Sequence, residues 1–186
     1  MSARLTPRDL ALAALFAALV SLGALVSVPF FGPVPFTLQV AFVLLAGLIL
    51  GARLGVLSLT VYLLLGLVAP VYAQGSSGPA ALVGPTGGYL VGFVIAAGLV
   101  GWLSERLEPR SLRAVLPVAL AGLVPIYAVG ATWLALQLHT SNVHAVLWGG
   151  VMQFLPGDVA KAVAAAFVAT ALVSLPLGLP VSSRAR

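Results

Sequence analysis

The sequence predicts an all-α, polytopic membrane protein: a bundle of six transmembrane helices forming one domain over residues 1–186, with both termini cytoplasmic. Three observations carry this prediction. The 186 residues are 61% hydrophobic and only 7% charged, with a mean hydropathy of +1.16. A soluble domain carries about 25% charged residues, so a chain this apolar could not cover a water-facing surface. The apolar runs are also continuous, as in Ala11–Val28 and Ala114–Leu138. Strands of a membrane barrel would alternate apolar and polar residues, whereas a spanning helix needs roughly 20 apolar residues in a row. Finally, eight of the nine basic residues fall on one side of a six-helix arrangement: Arg4, Arg8, Arg53, Arg106, Arg110, Arg113, Arg184 and Arg186. The positive-inside rule puts that side, with both termini, in the cytoplasm.

Helix 1 is expected at about 9–28. Thr6 is its N-cap, with Asp9 three residues on and Pro7 at the first helical position. It reads as a retained first helix, because no A-x-A-like cleavage site stands out after it. Its pairs Ala13/Ala17 and Ala14/Ala18 are small-xxx-small spacings that let another helix approach closely. They suit either packing within the bundle or docking of a partner membrane protein. Pro29, Pro33 and Pro35 force a loop. Helix 2 is expected at about 37–52 with Thr37 as N-cap, and helix 3 at about 54–69, ended by Pro70. A Gly/Pro/Ser segment, 71–86, precedes helix 4 at about 87–104. The charged stretch 105–113 links it to helix 5 at about 114–138. A loop over 139–156 leads to helix 6, about 157–175. The three outer connections are longer and richer in Gly, Pro and aromatics than the inner links. That asymmetry suggests a site open to the outside, built from loops over a helical bundle.

The ninth basic residue, Lys161, sits inside helix 6 with Asp158 three residues before it, so the two share one helix face. Ionisable groups inside a membrane are costly and commonly functional. Asp158 lies in the first turn, where the helix dipole favours an anion. Asp offers only acceptors and Lys only donors. The pair therefore suits a ligand that presents N–H and C=O side by side, such as a urea or amide, or else a structural ion pair. Gly84-Pro85-Thr86-Gly87-Gly88-Tyr89 opens helix 4 at the same outer surface. Thr86, Gly87 and Gly88 could bring backbone N–H groups to a ligand anion, or serve as a turn with close helix packing. Tyr89 could stack on a ligand or anchor at the interface. Thr37 and Gln39 open helix 2, and the Gln39 amide sits just inside an apolar run, fit to join the site or to bond a neighbouring helix. Gln153 and Gln74 are weaker candidates in outer loops.

Several functions are disfavoured. There is no cysteine, hence no disulfide, thiolate metal site or Cys nucleophile. His139 and His144 lie in a loop with no carboxylate nearby, so no metal is expected, and no cofactor. No Ser–His–Asp set, HExxH or GxxxxGK[ST] motif appears. The net charge of +5 is scattered over helix ends and forms no nucleic-acid-binding stripe.

Three blocks together resemble the BioY family, the biotin-binding S components of energy-coupling factor (ECF) vitamin transporters. They are Val34-Pro35-Phe36-Thr37-Leu38-Gln39, the run Gly84-Pro85-Thr86-Gly87-Gly88-Tyr89-Leu90-Val91-Gly92-Phe93, and Pro156-Gly157-Asp158-Val159-Ala160-Lys161. The alanines of helix 1 resemble the face by which S components dock on the transmembrane coupling subunit, with Ala14 and Ala18 as the docking pair. The resemblance implies biotin capture on the outer face of a bacterial or archaeal cell membrane, powered by two ATP-binding subunits through the coupling subunit. Asp158 and Lys161 could hold the ureido group and Thr86–Gly88 the carboxylate. The reverse pose, with Lys161 on the carboxylate, is equally compatible with the sequence. An S component for another vitamin, an intramembrane enzyme and a structural membrane protein are the competing readings. The sequence leaves open whether the protein works alone, as a homo-oligomer or only with ECF subunits.

Overall fold

The computed structural model describes residues 5–29, 32–108, 111–175 and 179–180. Of the basic residues used to orient the chain, Arg4, Arg110, Arg184 and Arg186 lie outside them.

Helix α1 runs Pro7–Leu25. The Thr6 hydroxyl accepts the Asp9 N–H at 3.2 Å, and the Asp9 carboxylate accepts the Thr6 N–H at 2.9 Å. This closes the expected capping box. The helix ends three residues before the expected Val28. Pro29 disfavours helical geometry at the residue before it, and Ser27–Val28 (β1) instead pair antiparallel with Phe36–Thr37 (β2), Ser27 opposite Thr37. Thr37 is therefore not the N-cap of the next helix; Leu38 is, with no side-chain cap bond.

Helix α2 spans Gln39–Gly66, yet it is not one pass. The Gln39 amide donates to the Tyr62 hydroxyl at 2.6 Å. A straight helix, rising 1.5 Å per residue, would hold these residues about 35 Å apart. The chain folds back at Gly51, whose φ of 79° and ψ of −179° suit only glycine. The division expected between helices 2 and 3 thus falls at Gly51, and each limb is short: Gln39–Leu50 and Ala52–Gly66. Glu105 accepts the Ala52 N–H at 3.0 Å and so caps the second limb from another helix.

Helix α3 (Pro79–Val83), preceded by a 3₁₀ turn at Ala73–Gly75, lies within the segment expected to be a loop. Helix α4 is Gly87–Ser104, as expected. Helices α5 (Leu112–Ala121) and α6 (Leu123–Gln137) form one pass with a jog at Gly122. Pro125 has no N–H to give the Ala121 carbonyl there. The last expected loop is also largely helical: α7 (Val143–Leu147) and a π-helical turn (Trp148–Met152) lead into α8 (Leu155–Val173).

Among the described residues, five helical stretches are long and apolar enough to cross a membrane. Because one of them doubles back, the chain makes six passes. α2 is central and packs most extensively on α4 and α1. The α2–α4 contact is backbone-close: a Cβ at Gly47 would lie 2.8 Å from the Ala97 carbonyl oxygen. Small residues at such contacts allow van der Waals packing where lipid gives no hydrophobic drive. Leu44, Leu48, Leu59, Val100 and Ile126 fill the core with almost no exposure. Arg53, Glu105 and Arg106 gather where α2 folds back and α4 ends. Gln39, Tyr62 and Tyr89 stand at the other ends of those passes.

Candidate ligand-binding site

At that far end, six elements line a cavity of about 50 Å³. Its wall is mostly aromatic and aliphatic: Phe36 from β2, Tyr72 before the 3₁₀ turn, Tyr89 and Phe93 from α4, Tyr127 from α6 and Phe154 at the start of α8. Phe36 and Phe154 stack with centroids 6.3 Å apart.

Asp158 and Lys161 supply its charge, 4% and 8% exposed. Pro156 occupies the start of α8, a position that needs no N–H donor. Asp158 therefore falls in the first turn, with Lys161 one turn on. The Lys161 ammonium donates to Asp158 Oδ1 and to the Thr37 backbone carbonyl, both at 2.6 Å. It also lies 3.4 Å from the centre of the Phe36 ring, a cation–π contact. The second carboxylate oxygen, Oδ2, accepts the Tyr127 hydroxyl at 2.6 Å. Both charges are thus paired and hydrogen-bonded, as burial demands. Each carboxylate oxygen keeps acceptor capacity, so a ligand N–H can be received without dismantling the pair.

Thr37, Gln39, Thr86 and Tyr89 also line the cavity. Gln39 is engaged on both sides: its carbonyl accepts the Thr37 hydroxyl at 3.0 Å and its amide donates to Tyr62 at 2.6 Å. It both faces the cavity and joins the two limbs of α2. The Tyr89 phenol donates to the Gly150 carbonyl at 2.8 Å, tying α4 to the π-helical turn.

Gly87, Gly88 and Gln153, named from the sequence, stand outside the cavity wall. Gly87 faces the Leu82 carbonyl. A Cβ at Gly88 would lie 2.8 Å from both the Trp133 ring and the Val129 carbonyl oxygen. Both glycines serve close packing, the alternative their sequence left open. Gln153 donates its amide to the Gly149 carbonyl at 2.5 Å, inside the π-helical turn. Conversely, sequence reasoning missed Tyr127, Tyr72, Phe93 and Phe154. A lone tyrosine in an apolar span needs a partner for its hydroxyl when buried, and that signal was available for Tyr127.

On helix α1 the two alanine pairs part company. Ala13 and Ala17 are buried in the bundle, whereas Ala14 and Ala18 are exposed, beside Leu15 and Leu22. Of the two pairs, Ala14/Ala18 is the one available to a partner.

A profile of the BioY family matches residues 1–176. The chain belongs to the BioY family. It is 40% identical to the biotin transporter BioY of Rhizobium etli over 184 residues, covering 93% of this chain and 97% of that one. It is 42% identical to the biotin transporter BioY of Thermotoga maritima over 169 residues, covering 90% and 97%. Its fold is similar to the crystal structure of the S component for biotin from an ECF-type ABC transporter, with a TM-score of 0.83 and 28% identity. That likeness covers 92% of this chain and 96% of the other. Six apolar passes and this membership make the chain a multi-pass membrane protein.

Proposed function

We propose that this chain is the S component that captures biotin from outside the cytoplasmic membrane for an ECF-type transporter. The observation that carries the reading is the Asp158–Lys161 pair, buried in an aromatic cavity with acceptor and donor adjacent. Biotin's ureido group presents N–H and C=O side by side. Asp158 accepts from the N–H, Lys161 donates to the C=O, and the aromatic wall covers the apolar thioether ring. Charge-assisted hydrogen bonds contribute roughly 1.5–3 kcal/mol each. Two or three, with ring burial, suffice for nanomolar affinity, about −12 kcal/mol.

The chain carries no Walker sequence, so its role is that of a transporter subunit rather than an enzyme. The energy comes from two ATP-binding subunits acting through a membrane coupling subunit, which docks on the exposed Ala14/Ala18 face of α1. The cavity opens outward, because the arginines at the opposite end belong in the cytoplasm. The test is direct. The chain purified alone in detergent should bind biotin with a change in tryptophan fluorescence. Asp158→Asn should weaken that binding at least about tenfold, or 1.4 kcal/mol. A folded chain that gives no biotin response, by fluorescence or calorimetry, would refute the proposal.

A further inference from the structure

A second cavity, of about 280 Å³, adjoins the first and shares Pro35, Ala73 and Thr86 with it as a common rim. Its outer wall is the 3₁₀ turn and helix α3. Its polar side chains are all neutral: Gln74, Ser76, Ser77 and, on the rim, Thr86. Among the described residues no Lys, Arg or His lines it. Among the described residues Lys161 is the one cation lining the first cavity; two of its three N–H groups go to Asp158 and the Thr37 carbonyl, and the reading above gives the third to the ureido carbonyl. At the start of α4, Gly87 and Gly88 line neither cavity. The Gly87 N–H is given to the Gly84 carbonyl at 3.0 Å and the Tyr89 N–H to the Thr86 carbonyl at 3.1 Å.

The turn itself is built to present this surface. Gln74 sits at a φ of 58°, a conformation uncommon outside glycine. The turn is held by Tyr72 N–H on the Ser76 carbonyl at 3.1 Å and by the Ser76 hydroxyl on the Ala73 carbonyl at 2.8 Å. With a ureido ring at Asp158 and Lys161, the acid side chain of the ligand has this neutral vestibule to enter. We infer that the vestibule is a subsite that receives the ligand's side chain without reading its charge. The protein therefore takes carboxamides of biotin, including the amide with a lysine ε-amino group, as well as the free acid. This rests on the biotin reading above and extends it to a substrate class.

The experiment compares three probes on the purified full chain by calorimetry: biotin, biotinamide and Nε-biotinyl-lysine. The inference expects dissociation constants within about threefold of one another. A carboxylate met by a protein cation would instead make amidation cost at least about tenfold, the worth of one charge-assisted hydrogen bond, and that result overturns the subsite. Ala80, an exposed residue of the vestibule wall, supplies a second arm. Ala80→Trp, which narrows the vestibule, should weaken Nε-biotinyl-lysine at least about tenfold. Unchanged Nε-biotinyl-lysine affinity in that variant overturns the assignment of the tail to this cavity. Binding of biotin alone overturns only the subsite, whereas failure of biotin itself to bind the wild-type chain overturns the functional reading beneath it.

Discussion

Tyr127→Phe removes one hydroxyl and leaves the ring in place. The hydroxyl donates to Asp158 Oδ2 at 2.6 Å, and Asp158 is only 4% exposed, so water has little access to replace the donor. Hydrogen bonds to charged groups contribute about 1.5–3 kcal/mol. Lys161 still holds Oδ1, so the carboxylate keeps one anchor and the stability loss should sit near the lower end, about 1.5 kcal/mol. Affinity responds differently. With one oxygen released, the carboxylate can turn about its last bond, away from the ligand N–H. We expect the biotin dissociation constant to rise about tenfold, or 1.4 kcal/mol. Calorimetry on wild type, Tyr127→Phe, Asp158→Asn and the double variant forms a cycle. If Tyr127 acts by aiming Asp158, its effect shrinks once Asp158 is replaced. Losses that add within about 0.5 kcal/mol, as for independent sites, would refute the positioning role. So would a Tyr127→Phe protein that melts earlier yet binds biotin as tightly as wild type.

Four further outcomes are expected. Lys161→Ala leaves Asp158 with a buried charge lacking its cation, a change that costs about 3–5 kcal/mol in comparable cases; a lowered melting temperature and weakened biotin binding should appear together. Ser77→Cys, beside the vestibule, should react with an impermeant thiol reagent on intact cells while Ser111→Cys should not, and the opposite pattern would invert the membrane orientation. Ala14→Leu on the exposed face of α1 should leave biotin affinity near normal but abolish co-purification with a coupling subunit; collapse of biotin binding would mean that this face packs inward. Gly51→Ala imposes a side chain at a φ of 79° beside the Glu105 carboxylate, a strain of about 1–3 kcal/mol, so thermal stability should fall while the folded fraction binds biotin normally.

The membrane fold was legible where single residues break apolar runs. Arg53 marks the fold-back two residues before it, and Thr6-Pro7-Arg8-Asp9 marks the start of α1. Short helices were not legible. The five-residue α3 and α7 are too brief to show a helical period, and their Gly and Pro neighbours read as loop. Thr37 misled because its residue type favours a cap, whereas its backbone is held in a strand pair and its carbonyl serves Lys161. Asp158 and Lys161 stood out because charge is rare in such a chain. Tyr127 did not: its hydroxyl signalled the need for a partner, but only the fold shows that the partner is Asp158, 2.6 Å away. Gly87 and Gly88 looked like a ligand cradle because close approach to a ligand and close approach to another helix demand the same missing side chain.

The fold-back at Gly51 has a consequence for the lipid. The limbs Gln39–Leu50 and Ala52–Gly66 reach only about 18 and 22 Å at 1.5 Å per residue, against a hydrocarbon core of about 30 Å. Leu64 and Leu65 on the second limb are exposed. Along that flank the bilayer must thin or its headgroups must sink, at a cost of fractions of a kcal/mol per ångström. Hydrophobic mismatch is thus written into one side of the bundle, and acyl-chain length becomes a variable of the protein's own energetics.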